Sequence, residues 1–330
     1  MSKCTAETGG HKKNTLSMSS QPNRASAHLT PLDNIPSYKS VDRRRYLAGF
    51  TAGCVSRTLT APIDRLKVLR QAAVPDIAGQ NMYRSFRTLV ADGGLQSLWR
   101  GNGVNVLKNG PETALRFGFH GKLKDLLFPG VKELHPSERL LVASLAGAGS
   151  LTLTYPMEVM KTRMALRRTG EPDSIVSCMK LVHSQVGLRG FYRGYAISML
   201  SYVPYAGMEL TLFELFKRGY MEYFCDYHPG DPMPHLVTPV AIGIILCSSF
   251  IPMLIIYPAN LMRTRFQAST SSRPPSIVSM FRSILQADGP IGLYRGFFTS
   301  LSKTLPSVTI SYLTFEAMME VMGLPTLGAK

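Results

Sequence analysis

The residues in this sequence best placed to do chemistry are charged ones that recur in a fixed order after a proline. Pro62-Ile-Asp-Arg-Leu-Lys67 and Pro156-Met-Glu-Val-Met-Lys161 both run proline, acid, base, and Pro258-Ala-Asn-Leu-Met-Arg263 repeats the order with an amide where the acid should be. Proline inside a helix kinks it and frees backbone groups, so Pro62, Pro156 and Pro258 predict three helix kinks at equivalent places. Three such kinks would draw three helix ends to one level. There Asp64, Glu158, Lys67, Lys161 and Arg263 could pair between neighbouring helices and plug one mouth of a cavity. The competing reading pairs each acid with its own base three residues on, inside one helix turn. Charges that must sit within a membrane favour the plug. Asn260 leaves it with at most two ionic links and one weaker hydrogen bond.

A second constellation lies on one helical stripe. Lys108, Glu112 and Arg116 follow at i, i+4 and i+8, and two bases flanking an acid suit a polyanion and a cation bound to it. The same stripe would also serve as a self-satisfied salt-bridge ladder. The corresponding stripe further on is Ser201, Tyr205 and Glu209, with Tyr202 adjacent. Tyrosine rings can stack on a base or a sugar, but in a helix they also simply pack. Arg57 and Lys303 add positive charge at similar depth. Nothing resembles catalysis: there is no Ser-His-Asp order and no glycine loop to cradle phosphate. The five cysteines form no CxxC pair and have no histidine at ligand spacing, so neither a disulfide framework nor a metal site is expected. No resident cofactor is expected either.

These residues sit in a threefold internal repeat. Each proline motif is followed by a second signature: Asp92-Gly93 leads to Trp99-Arg100-Gly101, Gln185 with Gly187 to Tyr192-Arg193-Gly194, and Asp288-Gly289 to Tyr294-Arg295-Gly296. A third mark is Pro111, Pro204 and Pro306. The three marks step by 94, 93 and 93 residues between the first two copies and by 102 each time between the second and third. Independent marks that keep one spacing define a repeat of about a hundred residues, too long for a solenoid. The chain divides accordingly into a disordered, Ser/Thr/Lys-rich tail over 1–40 and repeats over 41–134, 135–235 and 236–330.

Two helices per repeat must position the motifs, at about 44–70, 103–124, 139–167, 194–217, 237–266 and 297–322, with short surface helices at 83–90, 175–183 and 277–285. The span 237–262 carries no charge and is long enough to cross a bilayer; 140–157 is charge-free as well. Small residues such as Ala143, Gly147, Gly49 and Gly53 could let helices approach closely. The other spans carry charge on one face, which is tolerable in lipid only if that face lines water. Connections alternate in sign: 70–100, 161–193 and 263–295 sum to +2, +5 and +4, whereas 122–138 and 217–235 sum to 0 and −1. That is the pattern of loops on one membrane face. With 37 Lys and Arg against 21 Asp and Glu the formal charge is +16, which implies anionic partners. A mean hydropathy of +0.04 requires those charges to be segregated.

The three proline motifs and the three W/Y-R-G signatures resemble the mitochondrial carrier family over residues 44–322. Within it, Thr60-Ala-Pro-Ile-Asp-Arg-Leu-Lys-Val68, Ser97-Leu-Trp-Arg-Gly-Asn-Gly103, Pro111-Glu-Thr-Ala114, Tyr155-Pro-Met-Glu-Val159, Pro204-Tyr-Ala-Gly207 and Arg263-Thr-Arg265 are similar to the ATP-magnesium/phosphate carriers. The resemblance is to a short form without their calcium-binding N-terminal domain. It implies an all-α membrane protein with six transmembrane helices in a pseudo-threefold bundle, short matrix surface helices, and residence in the mitochondrial inner membrane as a multi-pass monomer. The lipids it meets would include cardiolipin. The implied activity is calcium-independent exchange of an adenine nucleotide (ATP-Mg, ADP or AMP) against phosphate by alternating access, with magnesium carried on the nucleotide.

Residue by residue, the resemblance makes Asp64, Lys67, Glu158, Lys161, Asn260 and Arg263 the matrix gate, with Gln71 and Gln267 as braces beneath it. Arg57, Lys108, Glu112, Arg116, Ser201, Tyr202, Tyr205, Glu209 and Lys303 become substrate contacts. The cytoplasmic gate would be Lys124, Glu214, Lys217 and Glu316. Only Phe213-Glu-Leu-Phe-Lys217 is whole there, because Gly121 replaces an acid and Met319 a base. Ser201-Tyr202 stands where adenine-nucleotide members have Gly-Ile. A carrier of another anionic or phosphorylated cofactor would use the same bases. A soluble basic nucleic-acid binder would explain the charge but not the uncharged span, and high salt would extract it. Nucleic acid is therefore not an expected partner.

Overall fold

The computed structural model describes residues 43–131, 134–171, 174–224, 238–271 and 275–324. The sequence's tail, and Cys4 and Cys225 with it, lie outside the described residues. Six long helical rods run through the molecule. The first is α1 (Arg43–Leu59) continued by α2 (Ala61–Gln71); the others are α5 (Asn102–Leu127), α6 (Pro136–Leu166), α8 (Tyr195–Phe224), α9 (Thr238–Ala268) and α11 (Phe297–Val321). The all-α, six-helix, three-repeat organisation read from the sequence is the one the chain adopts. α6 and α9 are each long and apolar enough to span a membrane by themselves.

Between the rods lie α3 (Pro75–Ala78), α4 (Met82–Gly93), α7 (Ile175–Val186) and α10 (Ile277–Asp288). The last three are the expected surface helices, each extended by three residues at its C-terminal end, and α4 by one at its N-terminal end as well. α7 and α10 start under Ser174 and Ser276, whose hydroxyls accept amide hydrogen bonds as N-caps. One apolar cluster per repeat pins them down. Leu89 joins Leu66 and Leu69, Val182 joins Met160, and Ile284 joins Leu261.

The rods close into a ring. The closest packing joins different repeats: α5 lies along α6, α8 along α9, and α11 along α1. At one end α2, α6 and α9 also touch one another, and these segments carry the three proline motifs. The helix divides at Thr60 in the first repeat, whereas it runs on through Pro156 and Pro258. Of the four small residues expected at close approaches, Gly53 faces Asn109 and Gly147 faces Tyr202. Ala143 is exposed, and a Cβ on Gly49 would meet nothing within 4 Å, so neither serves a helix contact. They lie on the outward face of their helices.

The W/Y-R-G signatures are the joints between repeats. Gly101, Gly194 and Gly296 have φ of +85°, +77° and +82°, and a Cβ on Gly101 would lie 3.0 Å from the carbonyl oxygen of Lys161. Only glycine meets both the left-handed backbone and that approach. The arginines before them hold the loop: Arg100 donates to Asp92 at 2.8 Å and Arg295 to Asp288 at 2.8 Å. Desolvation pushes the Asp92 carboxyl up, but hydrogen bonds from Arg100 and Thr169 and the Arg100 charge outweigh it and hold the group below the usual carboxylate range. In the second repeat Gln185 stands in place of the acid, and Arg193 turns instead to the carbonyls of Ser269 and Ser271 in the next repeat.

Candidate functional site

Where α2, α6 and α9 converge, the proline-motif charges meet between helices and not within them. Asp64 accepts from Lys161 at 2.8 Å, and Glu158 accepts from Arg263 at 2.7 Å. The within-turn pairing of each acid with its own base is therefore not the one formed. Lys67 makes no ion pair within 4 Å among the described residues, in keeping with Asn260 in place of the third acid, but the weaker hydrogen bond expected there is not formed, and the limit of two ionic links is exceeded: the two acids make four.

Two further bases enter this plug from rods that carry no proline-acid-base motif. Lys303 on α11 donates to Asp64 at 2.5 Å, and Lys108 on α5 donates to Glu158 at 2.6 Å. Both had been placed among substrate contacts, apart from the gate. The pairs span 239 and 50 residues of sequence, and no local spacing signals them. Each acid is thus bound on both oxygens: Asp64 Oδ1 to Lys303 and Oδ2 to Lys161, Glu158 Oε1 to Arg263 and Oε2 to Lys108. An acid held by two bases offsets its own desolvation far better than a single pair does.

The Lys108 stripe is both the salt-bridge ladder and part of the plug. Glu112 lies 3.1 Å from Lys108, 3.5 Å from Arg116 and 4.0 Å from Arg57, whose guanidinium also donates to Asn105 at 2.9 Å. The α8 stripe comes together less well. Ser201 is buried and its hydroxyl donates to the Ile197 carbonyl at 2.6 Å, so it has no hydrogen left to offer a ligand. The Tyr202 ring packs over Gly147 of α6, because glycine there leaves room for it; a Cβ on that glycine would come within 1.9 Å of the hydroxyl. Both residues were expected as contacts, and the helix faces they occupy direct them into packing. Glu209 accepts from Ser249 of α9 at 2.6 Å and from Tyr205 at 3.4 Å, with no base within 4 Å among the described residues.

The braces act through tyrosines that the sequence motifs did not single out. Gln71 donates to the Tyr257 hydroxyl at 3.1 Å and accepts from Thr264 at 2.9 Å, tying α2 to α9. Gln267 donates to Tyr155 at 3.1 Å and accepts from Thr162 at 2.8 Å, tying α9 to α6. Tyr155 and Tyr257 directly precede the second and third motif prolines, and each donates its own hydroxyl hydrogen bond to the carbonyl of a W/Y-R-G arginine, Arg193 or Arg295. The first repeat has Ala61 at that place and lacks this bond. Trp99 and Tyr192 make a separate equivalent pair of bonds, to the Thr58 and Thr152 carbonyls. Gln71→Ala and Gln267→Ala should each cost about 1 to 2 kcal/mol, since each removes two buried hydrogen bonds between helices. Thermal unfolding in detergent is the check, and unchanged midpoints would mean the braces are idle.

At the opposite end the charges do not assemble. Among the described residues Glu214 and Glu316 take part in no ion pair, with Lys124, Lys217 or any other base. Among the described residues, the four acid–base pairs that close one end have no counterpart formed by Glu214 and Glu316 at the other.

The sequence was compared with known proteins. A family model described as "Mitochondrial carrier protein" matches residues 43–130, 132–224 and 236–325, one match per repeat. The mitochondrial adenyl nucleotide antiporter SLC25A24 of Bos taurus is 41% identical over 285 residues, covering 85% of this chain and 58% of the relative. The human mitochondrial adenyl nucleotide antiporter SLC25A25 and the calcium-binding mitochondrial carrier protein SCaMC-2-B of Danio rerio are each 40% identical over 283 residues, with 85% and 59% covered. The chain thus spans somewhat under three fifths of the length of these relatives. Three matched repeats, a closed ring of six rods and inter-helix pairing of the proline-motif charges agree, and the chain belongs to the mitochondrial carrier family.

Proposed function

We propose that this protein is a transporter of the inner mitochondrial membrane that exchanges an adenine nucleotide, with or without magnesium, against phosphate by alternating access. In this reading it acts as a monomer among lipids that include cardiolipin and does no catalysis. The plug of Asp64 and Glu158 is the matrix gate, closed here. The set of Lys124, Glu214, Lys217 and Glu316 is the cytoplasmic gate, whose acids Glu214 and Glu316 make no ion pair among the described residues.

The observation that carries the reading is the double duty of Lys108 and Lys303. Each base bonds a gate acid at 2.6 Å or less, and each comes from a rod outside the three that carry the proline motifs. A phosphate group that draws these ammonium groups to itself takes counter-charge away from Glu158 and Asp64. The gate is then weakened by the same contact that binds the substrate. An anion that prefers the state with these bases released shifts the population toward it, which is what coupling of binding to opening requires. The names of the relatives supply the adenine nucleotide as the anion.

Magnesium enters through Glu209. Glu112 is already balanced by Lys108 and Arg116, whereas Glu209 has no base within reach among the described residues and repels an uncompensated polyphosphate. In liposomes reconstituted with the pure protein, ATP uptake against internal phosphate should slow when magnesium is chelated, and ADP uptake should slow less. Glu209→Gln should remove that difference. Carboxylates exchanged in preference to every nucleotide would overturn the nucleotide assignment, and equal slowing of ATP and ADP would overturn the role of Glu209.

A further inference from the structure

We propose that Lys67 and Asn260 form a seat for an inorganic oxyanion, phosphate above all, where a bound anion takes the place of the carboxylate missing from the third proline motif. The seat deepens the exchange reading by giving phosphate a position of its own.

Lys67 cannot borrow an acid. All four carboxylate oxygens of the gate are held by Lys303, Lys161, Arg263 and Lys108 at 2.5 to 2.8 Å. With Lys67 these make five bases against the two acids Asp64 and Glu158, and the charges acting on Lys67 are those of Lys303, Asp64, Lys161 and Arg263. A cation in excess within a membrane protein is costly unless something balances it. Among the described residues, neither the Lys67 ammonium nor the Asn260 amide group makes a hydrogen bond.

The two side chains share one interface. One turn further along, Gln71 of α2 and Thr264 of α9 are bonded at 2.9 Å. Lys67 and Asn260 each lie four residues earlier, on the same faces of the same two helices, and so face each other across that contact. An ammonium offers three N–H donors and a primary amide two, and neither needs to give up an existing partner. An oxyanion presents several acceptors to such a set, and a doubly charged phosphate cancels two of the three excess positive charges. A carboxylate at position 260 would fill the same place permanently.

The test titrates inorganic phosphate into the detergent-solubilised protein in a gluconate buffer and reads the unfolding temperature. Wild type should be stabilised in a saturable manner. Asn260→Asp should unfold at a higher temperature without phosphate and need about tenfold more phosphate for the same shift. Lys67→Gln should lose the shift to a similar degree, without the gain in basal stability. A parallel titration with ADP separates two sources of the anion. If the variants lose the phosphate response alone, the seat serves free phosphate; if they lose both responses, it also serves the nucleotide's phosphates. Wild-type phosphate midpoints in both variants, or no phosphate response in wild type, overturn the seat. A wild type that responds to phosphate but to no adenine nucleotide leaves the seat standing and removes the exchange reading instead.

Discussion

Lys108→Ala should lower exchange of phosphate-bearing substrates by about two decades or more, and Arg116→Ala by one decade or less, although both bases stand on the same stripe beside Glu112. Lys108 is 6% exposed and holds Glu158 and Glu112 at once, at 2.6 and 3.1 Å. Removing one partner of a buried ion pair costs about 3 to 5 kcal/mol, because the other charge is left behind. Divided between substrate contact and gate, that is a factor of 100 or more at about 1.4 kcal/mol per decade. The side chain of Arg116 is half exposed and 3.5 Å from Glu112, so its pair is worth only about 0.2 to 1 kcal/mol. Uptake rates in liposomes at equal incorporation are the measurement. Equal losses in the two variants would mean that Lys108 acts only as a substrate contact and has no part in the gate. A milder Lys108→Gln variant, which keeps a donor but not the charge, should fall between them.

The plan of the molecule was legible because it is written three times. A proline, an acid and a base recurring at 94 and 102 residues cannot be a property of one helix, and the equivalent places of Pro62, Pro156 and Pro258 are enough to set their segments at one level. The alternating charge of the connections put the surface helices on one side for the same reason. What repetition cannot reveal is the partner chosen by a residue that breaks it. Lys108 and Lys303 have Ser201 as their counterpart in the second repeat, so no threefold pattern announces that they reach the gate acids. Tyr202 looked like a ring offered to a ligand, and only the bare backbone of Gly147, on another helix, determines that it packs.

Tyr155 and Tyr257 were hidden differently. They stand immediately before motif prolines but lack an equivalent in the first repeat, where Ala61 stands, and their hydroxyls are read as structural only once Gln71 and Gln267 are seen bonded to them. A signal was available: a large polar side chain immediately before a motif proline twice in three copies. Ser201 carried no such signal. A serine in a helix can donate to the carbonyl one turn back or to a ligand, and that choice depends on whether the face is covered.

Arg65→Ala should destabilise the fold by about 3 to 5 kcal/mol, more than any other single change outside the gate acids and the bases that hold them. Arg65 lies between the gate residues Asp64 and Lys67, and the motif's spacing assigns it no role. It is instead 3% exposed. Its guanidinium donates to the Ala165 and Arg167 carbonyls at 3.0 Å each and to the carbonyl of Ser97. α6 ends at Leu166, so the Ala165 and Arg167 carbonyls lie where the helix's own bonding ends, at the negative end of its dipole. The first repeat thereby caps α6, the first rod of the second. Arg163 does the same for α9 through the Ser269 carbonyl, and Arg265 closes the circle on α2 through the Gln71 carbonyl at 3.3 Å. Arg65 makes the most hydrogen bonds of the three, and alanine would remove all three together, leaving the Ala165 carbonyl without its partner while the Ser97 and Arg167 carbonyls keep bonds from Arg100. Lysine keeps the charge but not the planar fork that spans them, so Arg65→Lys should recover part of the loss and not all of it. Thermal unfolding of the three proteins in one detergent decides the matter. If Arg65→Ala melts with the wild type, the arginine ring does not hold the repeats together, and the joints at Gly101, Gly194 and Gly296 must carry that load.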